Sequence, residues 1–355
     1  MDTTTPSFST AWRAAASALL AAAGLVACGG GGGGDAPSPA PSPAPAPPPA
    51  GPTLTQRTQA ATATANSSVN ACAVAAPFYW EVGDRASALA SGAVDQATGP
   101  RWRADTVMSI ASASKWLWSA YALERRAGVL TEADVKALNF TAGYTSFVGC
   151  GRTQTVDQCL AQPMNSAPNA PSNGAYTAGD DGFFAYGGGH MQQHASALGL
   201  GAMANAALAT EQRRLLGTDI ALSYSQPQPA GGGQTTSLDY ARFLRKALSG
   251  ELRIGAVLGT QAVCTNPRTC ATARNTPIPP TESWRYALGH WVEADPAVGD
   301  GAFSSPGAFG FYPWVDATRQ WYGILARESN SGTPAMDSVR CGRLIRQAWV
   351  TGSAL

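Results

Sequence analysis

The chain has 355 residues, enough for one large domain or two ordinary ones. Its 24 Lys and Arg against 23 Asp and Glu leave a formal charge of +1, which argues against a sequence-blind nucleic-acid binder, since that class needs a basic excess to displace counterions. Hydrophobic residues at 45% permit a full core, and no apolar run beyond the extreme N-terminus reaches the roughly 18–20 residues of a spanning helix, so a polytopic membrane protein is ruled out.

The first residues read as an address. Residues 1–13 are polar and include Arg13, and an Ala-rich apolar stretch, AAASALLAAAGLVAC, then runs to Cys28. It is too short for a stable span and reads as a secretion signal over 1–27. Its end, Leu25-Val26-Ala27-Cys28, resembles a bacterial lipobox, which implies cleavage before Cys28 and lipidation of its thiol. The resemblance places the chain in the cell envelope, held to a membrane by a lipid anchor, with Gly29 hinting at the outer membrane. Six glycines (29–34) and an alternating Pro segment follow. Gly-rich chain is flexible and Pro-rich chain is extended, so residues 37–52 would span roughly 50 Å. Residues 53–70 are polar and aperiodic and read as more linker, so the folded domain is expected over 71–355.

Seven cysteines occur; without Cys28, six remain, an even number that suggests disulfides in an exported chain. Fifteen pairings are possible. Local spacing favours Cys150 with Cys159 and Cys264 with Cys270, leaving Cys72 with Cys341. No Cys or His cluster has zinc spacing.

Along the domain, residues 77–83 and 87–94 read as two strands with a turn at Asp84-Arg85. Trp116, Ala120, Leu123 and Ala127 recur at helical spacing, which predicts a helix from Ser112 to about Ala127 with Gly128 as its stop. Residues 150–182 read as loop. Further helices are expected over 190–209 and 237–248, strands over 284–294, 309–316 and 319–328, and a closing helix over 336–350. Strands at both ends with helices between predict an α/β chain of the α+β type. Its antiparallel sheet, drawn from residues 72–111 and 280–350, would be flanked by helices and joined by a mainly helical subdomain.

The chemistry is read from Ser112-Ala113-Ser114-Lys115, an S-x-x-K sequence at a helix start. Residues three apart share a helix face, so the lysine can reach the serine hydroxyl. A serine is a weak nucleophile until a base takes its proton, and a lysine serves as that base when burial disfavours its charged form. The helix N-terminus adds N–H groups that favour an oxyanion.

Together with the strands before it and the Trp-rich helix after it, this segment resembles the serine β-lactamase and penicillin-binding-protein superfamily, in its class C and carboxylesterase-like branch. Leu138–Tyr144 (LNFTAGY) and the Pro229–Gly233 run followed by TTSLDYARFLRKAL are similar to two further stretches of that branch. The resemblance covers about residues 76–350 and implies a covalent serine hydrolase that needs no cofactor and no metal. In that family a Tyr-x-Asn motif supplies a proton-shuttling tyrosine and an asparagine that holds the substrate amide. Tyr186 fits, with Gly188 where the asparagine would be; Tyr224-Ser225-Gln226 is a second candidate. The family's Lys/His-Thr/Ser-Gly motif corresponds to Ser305-Pro306-Gly307, followed by Ala308, whose N–H would join that of Ser112 in an oxyanion hole. The cation of that motif is missing, which favours an uncharged ester as the small-molecule substrate. A D,D-peptidase or β-lactamase acting on cell-wall-like amides is the alternative, and a non-catalytic envelope binding protein is the rival of another class.

Other features weigh less. His190 and His194 stand four apart but lack the Glu of a zinc protease motif, and His190 is placed to line the cleft. His290 reads as structural. Core packing is the simpler role for Trp116 and Trp118, although one could wall an acyl pocket. No G-x-S-x-G sequence is present.

Overall fold

The computed structural model describes residues 51–355; the expected signal, Cys28 and the glycine and proline runs up to residue 50 lie outside the described residues. In chain order the helices are α1 (Leu54–Ala65), α2 (Ala71–Ala75), α3 (Ser114–Arg125), α4 (Glu132–Leu138), α5 (Val156–Ala161), α6 (Gly189–Ala195), α7 (Asn205–Leu216), α8 (Ser237–Ser249) and α9 (Pro334–Thr351). The strands are β1 (Phe78–Gly83), β2 (Ala88–Val94), β3 (Met108–Ser109), β4 (Phe184–Ala185), β5 (Ser223–Tyr224), β6 (Gly233–Thr235), β7 (Val263–Cys264), β8 (Ala273–Asn275), β9 (Arg285–Ala287), β10 (His290–Val292), β11 (Phe303–Ser304), β12 (Tyr312–Val315) and β13 (Tyr322–Ala326).

The main sheet has eight antiparallel strands in the order β2-β1-β13-β12-β11-β10-β9-β7, so the first and last strands of the chain lie side by side, as expected. Two smaller sheets, β3-β6-β5 and the parallel pair β4-β8, belong to the region between. The strands β1, β12 and β13 are buried along their whole length because helices cover both faces. Alternation sorts their side chains. Glu81 and Tyr322 point towards α8, where Arg245 meets the Tyr322 hydroxyl at 2.7 Å. Tyr312 and Trp314 point towards α9, where Arg346 contacts both. Helix α8 reads well from sequence because Tyr240, Phe243, Leu244 and Ala247 form one buried stripe. Its ends are set by the Thr236 hydroxyl, which accepts from the Asp239 N–H, and by Gly250 at φ 81.

The expected linker over 53–70 is corrected by the structure. Thr53 and Gln56 form a capping box that starts α1, and this helix lies along α9. The segment carries no large apolar side chains at helical spacing; Ala60, Ala61, Thr64 and Ala65 make a small-residue face that allows close approach. Arg57 donates to the Trp349 and Val350 carbonyls at 2.6 and 3.0 Å, closing the end of α9. The folded unit therefore begins near Thr53.

Two further boundaries differ. The helix expected over 190–209 breaks at Gly199, whose φ of 80 ends one helix before α7 begins at Asn205. The strand expected over 284–294 is the hairpin β9-β10, turned at Leu288 and Gly289, both at positive φ.

Disulfides join Cys72 in α2 to Cys341 in α9, and Cys150 to Cys159. The third expected pair is a correction: Cys264 and Cys270 are free thiols. The Cys270 Sγ contacts the Thr272 hydroxyl at 3.1 Å.

Candidate active site

Ser112 stands in a 3-10 turn, Ala111–Ala113, that leads directly into α3. Three elements clamp this turn. Tyr240 of α8 donates to the Ala113 carbonyl at 2.9 Å, Gly233 of β6 donates to the Ser114 hydroxyl at 3.1 Å, and Ser305 donates to the Ser112 carbonyl at 3.1 Å. Ala111 is held at φ 42, a left-handed value that costs an L-residue roughly 1–2 kcal/mol. Backbone strain of this kind persists only where the surroundings over-determine it, and those three bonds do so.

Lys115, one turn on, lies with Nζ 2.9 Å from Ser112 Oγ and donates to the Ala230 carbonyl at 2.6 Å. The lysine is only 5% exposed and has no carboxylate partner among the described residues, and desolvation pushes its pKa down to about 7. A substantial fraction is therefore a neutral amine at neutral pH, able to accept a proton from the serine. Ala230 belongs to the Pro229–Gly233 run, and through its carbonyl that stretch orients the base.

Tyr186 follows β4, which pairs with β8; its N–H reaches the Asn275 carbonyl at 3.4 Å. Its ring is boxed by Phe140, Tyr286 and Trp291 at centroid distances of 5.3, 5.9 and 5.3 Å, and Lys115 Nζ sits 4.8 Å from its centroid. Burial pushes the phenol up to about 12, while hydrogen bonding to Ser112 and Trp291 pulls the other way. The tyrosine is thus a neutral phenol facing the Ser112–Lys115 pair. The other candidate, Tyr224, bonds to Gln212 at 2.6 Å under β5, so its hydroxyl is committed elsewhere.

Beyond β11, Ser305 and Gly307 donate to the Pro313 and Phe311 carbonyls at 3.2 and 2.8 Å, which extends the β11-β12 hairpin. Gly307 is required: a Cβ there would lie 2.3 Å from the Ile110 carbonyl oxygen. The N–H of exposed Ala308 donates to no backbone acceptor among the described residues. Ser305, in the place of the family's missing cation motif, is spent on the Ser112 carbonyl. Gly188 faces Phe147, whose ring would be 2.5 Å from a Cβ at that position.

The histidines do not line the site. His190 is fully buried; its Nε2 hydrogen-bonds the Ala185 carbonyl at 3.0 Å and its Nδ1 accepts from the Ala142 N–H at 3.3 Å. Burial holds its pKa down at about 4, so it is a neutral brace beneath the Tyr186 turn and not a cleft residue. His194 bridges the Trp118 indole and Asp134, so the two rings share no open ligand position. His290 stacks on Trp116 and accepts from the Gly259 N–H at 2.9 Å. Trp116 and Trp118 are both core residues, without exposure to the site. Sequence reasoning did not single out Trp291, Phe140 or the Ala230 carbonyl. Only Ala230 and Phe140 lay in stretches already marked by the resemblance.

No family model matches the sequence, and no curated protein does. Solved structures do match. Unliganded simvastatin synthase (LovD) from Aspergillus terreus superposes with a TM-score of 0.54 at 12% identity, over 82% of this chain and 99% of that one. A penicillin-binding-protein homologue from Caulobacter crescentus gives 0.54 at 13% identity, over 82% and 97%. This chain has the serine β-lactamase and penicillin-binding-protein fold. EstCE1, a hydrolase with promiscuous acyltransferase activity, shares it with a TM-score of 0.53 at 12% identity, over 84% and 98%. In this fold the Ser112–Lys115 turn lies between the eight-stranded sheet, which supplies Ser305–Ala308, and the intervening region, which supplies Tyr186 and Ala230.

Proposed function

We propose that the domain is a serine hydrolase that works through a covalent acyl-enzyme and acts on a carboxylic ester. The observation that carries this reading is the 2.9 Å contact between Ser112 Oγ and a buried lysine whose pKa desolvation lowers to about 7. Neutral Lys115 accepts the proton as Ser112 Oγ forms its bond to the carbonyl carbon. Tyr186, neutral at any ordinary pH, passes a proton to the leaving alkoxide, and the Ser112 and Ala308 N–H groups receive the oxyanion. Water then attacks the acyl carbon by the same route in reverse and frees Ser112.

The choice of ester rests on what surrounds this machinery. An amide substrate bearing a carboxylate, as in a D,D-peptidase or β-lactamase, calls for a side-chain amide and a cation at the two motif positions. Here those positions hold Gly188 and Ser305. The likeness to EstCE1, a hydrolase with promiscuous acyltransferase activity, supports acyl chemistry on this fold, and the non-catalytic reading leaves the desolvated lysine without a purpose. The N-terminal sequence adds the proposal that Cys28 is lipidated and holds the domain at a membrane of the cell envelope.

The test is hydrolysis of p-nitrophenyl butyrate by the protein beside its Ser112→Ala variant. Nitrophenol release that falls by about a thousandfold or more in the variant is the expected result. A folded wild-type protein with no turnover would refute the ester reading.

A further inference from the structure

The side chain that meets Gly188 comes from a different part of the chain. Phe147 lies on the segment after α4, and its ring would stand 2.5 Å from a Cβ placed at Gly188, two residues beyond Tyr186. Phe147 is half-buried, as are Tyr186, Gly187 and Gly188, and Tyr186 hydrogen-bonds Ser112, so the ring packs on the turn that carries the tyrosine to the nucleophile. Glycine at 188 lets the aromatic ring sit directly on the backbone of the Tyr186 turn, with no polar side chain between.

The ledge that carries Phe147 is fixed from several sides. Asn173, fully buried, accepts from the Val148 N–H at 2.9 Å and donates to the Gly149 and Cys159 carbonyls at 2.8 and 3.0 Å. Cys150 is bridged to Cys159. The Tyr144 carbonyl lies so close to Gly189 that a Cβ there would be 2.5 Å away. On the same segment Val148 is 55% exposed, and Tyr144 pairs at 5.5 Å with Tyr176, itself 53% exposed. A rigid aromatic face backed by main chain selects by apolar contact, at low entropic cost to itself.

We infer that Phe147 is the specificity-determining residue for the acyl chain, and that the substrates are esters of apolar, uncharged acids long enough to lie across its ring. This rests on the proposed acyl-enzyme chemistry, and the experiment separates the two. The full chain and its Phe147→Ala and Phe147→Leu variants are treated with the uncharged diesters ethyl p-nitrophenyl methylphosphonate and ethyl p-nitrophenyl hexylphosphonate. Ser112 Oγ bonds to phosphorus, nitrophenolate leaves and Lys115 takes the proton, so release of nitrophenolate and intact mass report one labelling event without turnover. Wild-type protein is expected to label faster with the hexyl probe. Phe147→Ala is expected to lower the hexyl-to-methyl rate ratio about tenfold, the scale on which small changes in apolar contact discriminate, and Phe147→Leu to restore most of it. Labelling of Ser112 at a ratio that Phe147→Ala leaves within twofold overturns the inference alone, as does a ratio that rises. An effect seen only with esters varied on the alcohol side also overturns it. A folded protein that neither probe labels at Ser112 overturns the acyl-enzyme reading and the inference with it.

Discussion

Replacing Lys115 by methionine should remove activity and, at low pH, make the domain more stable. The unperturbed lysine value is 10.5, and burial lowers it to about 7. At about 1.36 kcal/mol for each tenfold change in proton affinity, holding the ammonium in this site costs the fold roughly 5 kcal/mol below pH 7. The sign follows from proton counting. Between pH 7 and 10.5 the unfolded chain binds a proton that the folded chain does not, so wild-type stability rises with pH across that window by up to about 1.4 kcal/mol per pH unit. The methionine variant lacks this slope. It leaves the Ala230 carbonyl without its donor, a loss of about 1–3 kcal/mol at every pH. The net expectation is a variant more stable by about 2–4 kcal/mol at roughly pH 6 and about equal to wild type near pH 9. Urea unfolding followed by tryptophan fluorescence, with the disulfides intact, measures both curves. A stability gap that stays constant between about pH 6 and 9 would show that Lys115 is not desolvated, and would remove the basis for its role as base. The same titration sets activity: kcat/KM of the wild type should rise about tenfold per pH unit below pH 7 and level off above it. Tyr186, at about 12, does not titrate in that range.

The remaining predictions concern the scaffold. Glu293 is fully buried and accepts from Tyr312 at 2.5 Å, Arg343 at 2.8 Å and Arg346 at 3.1 Å. Glu293→Gln removes the carboxylate that two guanidinium groups share, leaving Arg343 on Glu282 and Arg346 on Asp300, and should cost about 1.5–3 kcal/mol in urea unfolding; a loss below about 1 kcal/mol would mean the network is solvated. A chain shortened to begin at Ala71 loses α1 and with it the Arg57 caps on α9. It should melt several degrees below a chain beginning at Thr53, and equal melting temperatures would return α1 to the linker.

What could be read from the sequence, and what could not, divides along physical lines. Ser112 and Lys115 were legible because their chemistry demands helical spacing, and spacing is written in the chain. The choice between Tyr186 and Tyr224 was not, because it turns on which hydroxyl is engaged, and only the fold brings Gln212 to Tyr224. Helix α8 announces itself through large apolar residues on one stripe, whereas α1 is stabilised by caps and by an alanine face whose value depends on α9 lying against it. Cysteine spacing is compatible with a bond between Cys264 and Cys270, but spacing does not determine oxidation, and the structure keeps both as thiols. From sequence, the loss of two motif residues favoured an ester over a cell-wall-like amide and left a non-catalytic protein as the rival. In the structure those positions are occupied: Phe147 takes the space that Gly188 leaves, and Ser305 ties the sheet to the nucleophile turn. Neither departure disturbs the Ser112–Lys115 pair, which the fold holds in contact at 2.9 Å with the lysine desolvated.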